Sequence, residues 1–223
     1  MKKNSINTPV TLEFERSGTS SLSDDEPSIA RVPRVVAESV VYLETHGLLI
    51  EGVFRVNGDL KKAEQLLEAF ASKSNVDLES LGDDGSSVRT VASLLKMYFR
   101  SMRSPLFPED IYHDILKHRK DARKLKDIVM RKMPRSNLDA LTVIMELCHH
   151  ISQGSDTNRM TPNALSICWA PSLLRAPVSK SSDAMDMMMG SAMDAGKRNK
   201  AVETLISNFD AVFDSTRPVC RKL

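Results

Sequence analysis

The stretch Ser87-Val88-Arg89-Thr90-Val91-Ala92-Ser93-Leu94-Leu95-Lys96-Met97-Tyr98-Phe99-Arg100-Ser101-Met102 repeats apolar residues every three or four positions. Val88, Val91, Leu95, Tyr98, Phe99 and Met102 fall on one side of an α-helix and mark a core-facing stripe. Ser87 is placed to cap its start, and Pro105 and Pro108 cannot continue it. The other side carries Arg89, Ser93, Lys96, Arg100 and Arg103, each three or four residues from the last. Lys96 and Arg100 are one turn apart and lie within roughly 40° of each other. A solvated stripe usually mixes signs, and this one contains no acid. It is expected to face solvent or an anionic partner surface.

The same periodicity extends outward in both directions. Val36, Val40 and Leu43 define a helix that stops at Gly47. A glycine-bounded turn follows, Glu51-Gly52-Val53-Phe54-Arg55-Val56-Asn57-Gly58, in which a buried Phe54 would fix the backbone while Arg55 projects. Leu60, Ala63, Leu66, Leu67 and Phe70 predict a second helix with Asp59 as its N-cap. Ser74 to Ser86 reads as a loop. Downstream, Ile111, Ile115 and Leu116 lie on one helix, and Leu125, Ile128, Val129 and Met133 on the next. Ser136 is positioned to open a long helix, with Asp139 in capping-box spacing. Thr161-Pro162 form an N-cap and N1 pair for a helix through Ile167 and Trp169 that Pro171 should stop. Ser179 to Gly196, which includes the Met-rich stretch 183–196, is low in complexity and reads as a loop. Val202 to Phe213 predicts a closing helix. With no convincing β-alternating run, the fold class is all-α. A single compact helical domain is expected over 29–216, after a flexible, Ser-rich N-terminal segment at 1–28 and before a tail at 217–223.

Composition narrows the function classes. The 223 residues hold 31 Lys or Arg and 29 Asp or Glu, a formal net charge of +2. That balance argues against a nucleic-acid-binding domain, which would carry a basic excess. No apolar run approaches the roughly 20 residues needed to span a bilayer, and no apolar segment follows Met1-Lys2-Lys3 to make a secretory signal. Cys148, Cys168 and Cys220 are scattered and form no metal-binding or disulfide pattern. His46, His113, His118, His149 and His150 show no metal-ligand spacing. Nucleotide-binding glycine loops, the nucleophile elbow and the zinc-protease motif are all missing. The chain therefore reads as a soluble cytoplasmic protein with no metal and no cofactor of its own.

Four blocks together resemble the Rho-family GTPase-activating (RhoGAP) domain. They are Tyr42-Leu43-Glu44 with Gly47-Leu48; the turn Glu51 to Gly58; Val91 to Arg100 with Pro105-Leu106; and Asn158-Arg159-Met160-Thr161 leading to Ala170-Pro171-Ser172-Leu173-Leu174. Their order and spacing match the family over about 32–174. The resemblance implies a RhoGAP-like helical bundle that stimulates GTP hydrolysis by a Rho/Rac-class small GTPase in its GTP-bound form. Such a chain is not an enzyme with its own active site but completes that of its partner. It implies that Arg55 is the arginine finger, the catalytic residue, supplied in trans to the transferring γ-phosphoryl group. It implies GTPase-binding roles for Lys96, Arg100, Arg103 and Asn163, with one of Lys96 and Arg100 ordering the finger turn and Arg103 extending the basic surface. Phe54 and Pro171 are implied to be structural neighbours of the site. The Mg²⁺ belongs to the GTPase. The chain is expected to act as a monomer in the cytoplasm, to meet membrane only indirectly through the GTPase, and to be open to recruitment to membrane or cytoskeleton.

Two positions depart from the family pattern. The family places an asparagine four residues after the block's methionine, against the GTPase; here that position is Ala164, and Asn163 lies one residue earlier. One residue on a helix is a rotation of about 100°. The family's Leu-Pro-Glu-Pro-Leu run is here Met102-Arg103-Ser104-Pro105-Leu106. The first departure motivates an alternative: a catalytically weak RhoGAP-like module that binds a small GTPase as a scaffold or effector.

Overall fold

The computed structural model describes residues 32–177 and 184–213. The N-terminal segment 1–28 and the tail 217–223, with Cys220, lie outside the described residues. Ten α-helices and no β-strand are found among those described. They are α1 (Arg34–His46), α2 (Leu60–Ala71), α3 (Gly85–Ser101), α4 (Tyr112–Lys117) and α5 (Ala122–Lys132). Next come α6 (Arg135–Gln153), α7 (Ser155–Asn158), α8 (Pro162–Leu173), α9 (Ala184–Ser207) and α10 (Phe209–Phe213).

Helix α3 runs through the middle of the first half and packs against α1, α2 and α8. Its apolar face, Val88, Val91, Leu94, Leu95, Tyr98 and Phe99, is buried. Helix α8 lies between α3 and α9, so the two halves share one core. Trp169 is fully buried there, its ring centroid 4.9 Å from that of Phe54 and 6.0 Å from that of Phe99. This aromatic trio joins the Glu51–Gly58 turn to both helices.

The caps expected at Asp59 and Thr161 are present. Asp59 accepts from the Lys62 amide at 3.0 Å and Thr161 from the Ala164 amide at 3.2 Å, with Pro162 in the first turn of α8. Other boundaries move. Asp84, not Ser87, caps α3, because its carboxylate accepts from the Ser86 and Ser87 amides at 2.7 and 3.1 Å. The Ser87 hydroxyl, which donates to the same carboxylate at 2.8 Å, and then those amide bonds hold the Asp84 carboxyl below the usual range. Helix α6 begins after Pro134 rather than at Ser136. The capping box does not form, because Asp139 is buried and pairs with Arg135 at 3.2 Å. Pro171 does not stop α8 but sits in its last turn, where the missing N–H removes a single hydrogen bond, and the helix ends at Leu173.

The expected loop at 179–196 is corrected from Ala184 onward: those residues form the first half of α9, while 179–183 lie outside the described residues. A Met-, Ser- and Gly-rich composition hides the start of a helix that runs on to Ser207 and, as a whole, packs on α8. No described helix is long and apolar enough to cross a membrane.

Candidate functional site

Residues 51–58 form a tight turn lying across the polar side of α3. Gly52 has φ 69°, a left-handed conformation that a side chain resists, and a Cβ there would also meet Val56 Cγ2 at 2.8 Å. Phe54 adopts φ 70° despite its side chain. The Arg55 and Val56 amides donate to the Gly52 carbonyl at 2.9 and 2.8 Å, closing the turn. Phe54 is buried beneath it, whereas the next residue, Arg55, is exposed.

The turn is held to the helix by side chains of α3 at successive turns. Arg89 Nη2 donates to the Glu51 carbonyl at 3.0 Å. Lys96 Nζ donates to the Phe54 carbonyl at 2.5 Å. The Gly58 amide donates to Ser93 Oγ at 3.2 Å and the Asp59 amide to Thr90 Oγ1 at 2.9 Å. Gly58 is required for this approach, since a Cβ would fall 2.2 Å from the Thr90 backbone nitrogen. The stripe expected to face solvent is therefore largely covered. Ser93 is buried, Lys96 is only 6% exposed, and the chain's own turn supplies the acceptors that the sequence left open.

A second support comes from the other side. Asn158, fully buried, donates to the Leu48 and Ile151 carbonyls and accepts from the Met160 amide, each at 2.7 Å. Its own carbonyl accepts from the Gly52 amide at 2.8 Å, so the segment before α8 ties directly into the turn. Arg159, at φ 60°, turns its carbonyl toward Arg55, whose Nη1 donates to it at 3.4 Å. The electrostatics agree with this convergence. Burial pushes the Lys96 ammonium below its ordinary 10.5; the neighbouring Cys168 opposes that shift and Arg100 adds to it. Burial likewise pushes the Cys168 thiol up, while Lys96, Arg55 and Arg100 pull it back. Three cations thus gather beside one edge of α8.

A RhoGAP domain profile matches residues 33–178. The chain belongs to the RhoGAP family. It is 30% identical over 187 residues to human Rho GTPase-activating protein 4, covering 82% of this chain and 19% of that protein. The human Rho GTPase activating protein 15 structure superposes with a TM-score of 0.70 at 25% identity, over 81% of this chain and 83% of that one. The BH domain of GRAF, the GTPase regulator associated with focal adhesion kinase, shares the fold. Its TM-score is 0.67 at 22% identity, over 82% of this chain and 94% of that one. The chain therefore spans about a fifth of the length of the curated relative it matches.

Within this RhoGAP fold the other sequence-selected residues separate. Arg100 is exposed at the end of α3, where its Nε donates to Ser172 Oγ at 3.0 Å. Ser172 follows Pro171, which is exposed in the final turn of α8, so this turn steadies Arg100. Arg103 is exposed beyond the end of α3. Asn163 is exposed and Ala164 half-buried in the first turn of α8. The Thr161 cap fixes that turn in regular register, so Asn163 points away from the direction Ala164 occupies. Sequence reasoning gave no role to Thr90 or Asn158, and it placed Ser93 on a stripe facing solvent or a partner rather than under the turn. Polar residues on a helix flank, and an Asn just ahead of an N-cap, were the available signals.

Proposed function

We propose that this chain accelerates GTP hydrolysis by a Rho/Rac-class small GTPase, with Arg55 as an arginine finger. The observation that carries the reading is an exposed arginine on a turn whose backbone is fixed from three directions. Lys96 holds the Phe54 carbonyl, the Asn158 carbonyl holds the Gly52 amide, and Phe54 is packed on Trp169. GTP hydrolysis spreads charge over the phosphoryl oxygens, and the gain comes from a cation already in position. A guanidinium suits this because its planar fork stays charged and binds phosphate oxygens at two points. Fingers of this kind contribute about 10³–10⁵ in rate, roughly 4–7 kcal/mol of barrier. Supplied in trans, Arg55 completes the active site of the partner GTPase. Lys96 acts through the turn as a positioning residue, and Arg100 and Arg103 lie where they can meet the GTPase surface. The membership shown by the family match supports a GTPase partner, and the GTP-bound form is the one with a γ-phosphoryl group to stabilise.

Ala164 favours a second reading, in which the chain holds a GTPase with little acceleration. Single-turnover hydrolysis over purified Rho-, Rac- and Ras-type GTPases separates the two. Acceleration of a Rho- or Rac-type member supports the first. Binding to the GTP-analogue form without acceleration supports the second, and neither binding nor acceleration overturns both.

A further inference from the structure

The net charge of +2 conceals a strong asymmetry. Residues 117–135 hold nine Lys or Arg and two Asp, which leaves 22 basic and 27 acidic residues in the rest of the chain. This segment comprises the end of α4, helix α5 and the first residue of α6. Leu125, Ile128 and Val129 are buried, so the opposite side of α5 faces outward. Lys117, Lys120, Arg123, Lys124 and Arg131 are all exposed, and none has an ion-pair partner among the described residues. Of the two acids, Asp121 is occupied as the N-cap of α5, accepting from the Lys124 amide at 3.1 Å. Asp127, between Arg123 and Arg131 on the helix, is the one left facing them. On the neighbouring helix, Asp114 pairs with Lys132 at 2.6 Å. Its carboxyl is held below the usual range by that bond and charge, with His118 and Lys117 adding to it.

We infer that this face docks on an anionic lipid surface, the α5 side lying against acidic headgroups. The charges are spread along one outward helix side and the loop before it, and they do not converge on a pocket. Spread charge matches a plane of mobile anionic headgroups, which needs no shape complementarity. No Phe, Tyr or Trp occurs between 117 and 135 to stack a base, which disfavours single-stranded nucleic acid as the occupant. Helix α5 packs on α4, α9 and α10, whereas the Arg55 turn lies on α3, so the two surfaces are built on different elements. The inference does not depend on the GTPase reading, since the turn and its arginine take no part in it.

The test is co-sedimentation of the full chain with phosphatidylserine-rich vesicles and with pure phosphatidylcholine vesicles at low and physiological salt. The chain should bind the first and not the second, and added salt should weaken the binding. Arg123→Glu with Lys124→Glu and Arg131→Glu should lower binding at least about tenfold while leaving the unfolding midpoint and the stimulation of GTP hydrolysis unchanged. Arg123→Lys with Arg131→Lys should retain binding, because a headgroup plane reads charge and not the guanidinium fork. Failure of the wild-type chain to bind phosphatidylserine vesicles would overturn the inference. So would undiminished binding by the triple Glu variant, loss of binding in the Lys variant, or retention on duplex RNA or polyglutamate but not on vesicles.

Discussion

Phe54 is held at φ 70°, a conformation that costs a non-glycine residue about 1–3 kcal/mol, and it persists because its ring is buried against Trp169. Phe54→Ala should therefore do two things. Urea unfolding, followed by the fluorescence of the single tryptophan, should show a loss of about 3–5 kcal/mol. The GTPase-stimulating rate should fall as well, because the carbonyl that Lys96 holds is no longer fixed in place. Lys96→Met keeps the stem and deletes the ammonium, leaving the Phe54 carbonyl unpaired, a loss of about 1.5–3 kcal/mol. Its pH dependence has a definite sign. The folded-state value lies below the ordinary 10.5, so between the two the unfolded chain binds more protons, and this group's contribution to stability rises with pH. The stability of wild type relative to Lys96→Met should thus increase as the pH rises toward the ordinary 10.5; a falling difference contradicts a buried ammonium. At Ala164, restoring the amide with Ala164→Asn should tighten binding to a GTP-analogue-loaded GTPase by about 0.5–1.5 kcal/mol, measured by titration calorimetry. Unchanged affinity would show that this position does not meet the partner.

Helix α3 acts at the next scale as a template along which the turn is laid. Arg89, Thr90, Ser93 and Lys96 each bind a main-chain group of residues 51–59, so one rigid element sets the direction of Arg55. Gly58→Ala tests the template directly, because the added carbon would collide with the Thr90 backbone rather than with a movable side chain. Single-turnover kinetics should show a maximal rate at least tenfold lower, with a smaller change in the concentration needed for half-maximal effect. A variant with wild-type kinetics would mean the turn does not need its seat on α3.

The apolar stripe of α3 and the caps at Asp59 and Thr161 were legible in the sequence because they depend on residues a few positions apart. The fate of its polar stripe was not. Lys96 looked exposed because its acceptor lies 42 residues away, and no local spacing reveals a contact of that range. Helix α9 escaped for a related reason: its first half lacks an apolar period, and the buried apolar residues of the same helix, Val202, Leu205 and Ile206, lie further along. Asp84 displaced Ser87 as the α3 cap because both are good cap residues, and only the chain path decides which carboxylate or hydroxyl meets the amides.

At the scale of the whole molecule, α3 and α8 meet at Trp169, and the Arg55 turn is built where the two helices converge. The order and spacing of the four sequence blocks already implied the family, since each block falls at this junction or on the elements that support it. The basic α5 face was not legible from net charge, because acids elsewhere cancel it. The central claim is that a prepositioned Arg55 supplies rate and not affinity. Its most direct test is single-turnover GTP hydrolysis by a responsive Rho-class GTPase at saturating chain, wild type against Arg55→Ala, with affinity for the GTP-analogue form measured alongside. The account predicts a rate loss of about 10³-fold or more with affinity changed only a few-fold. A rate within about tenfold of wild type, or a loss explained entirely by weaker binding, would contradict it.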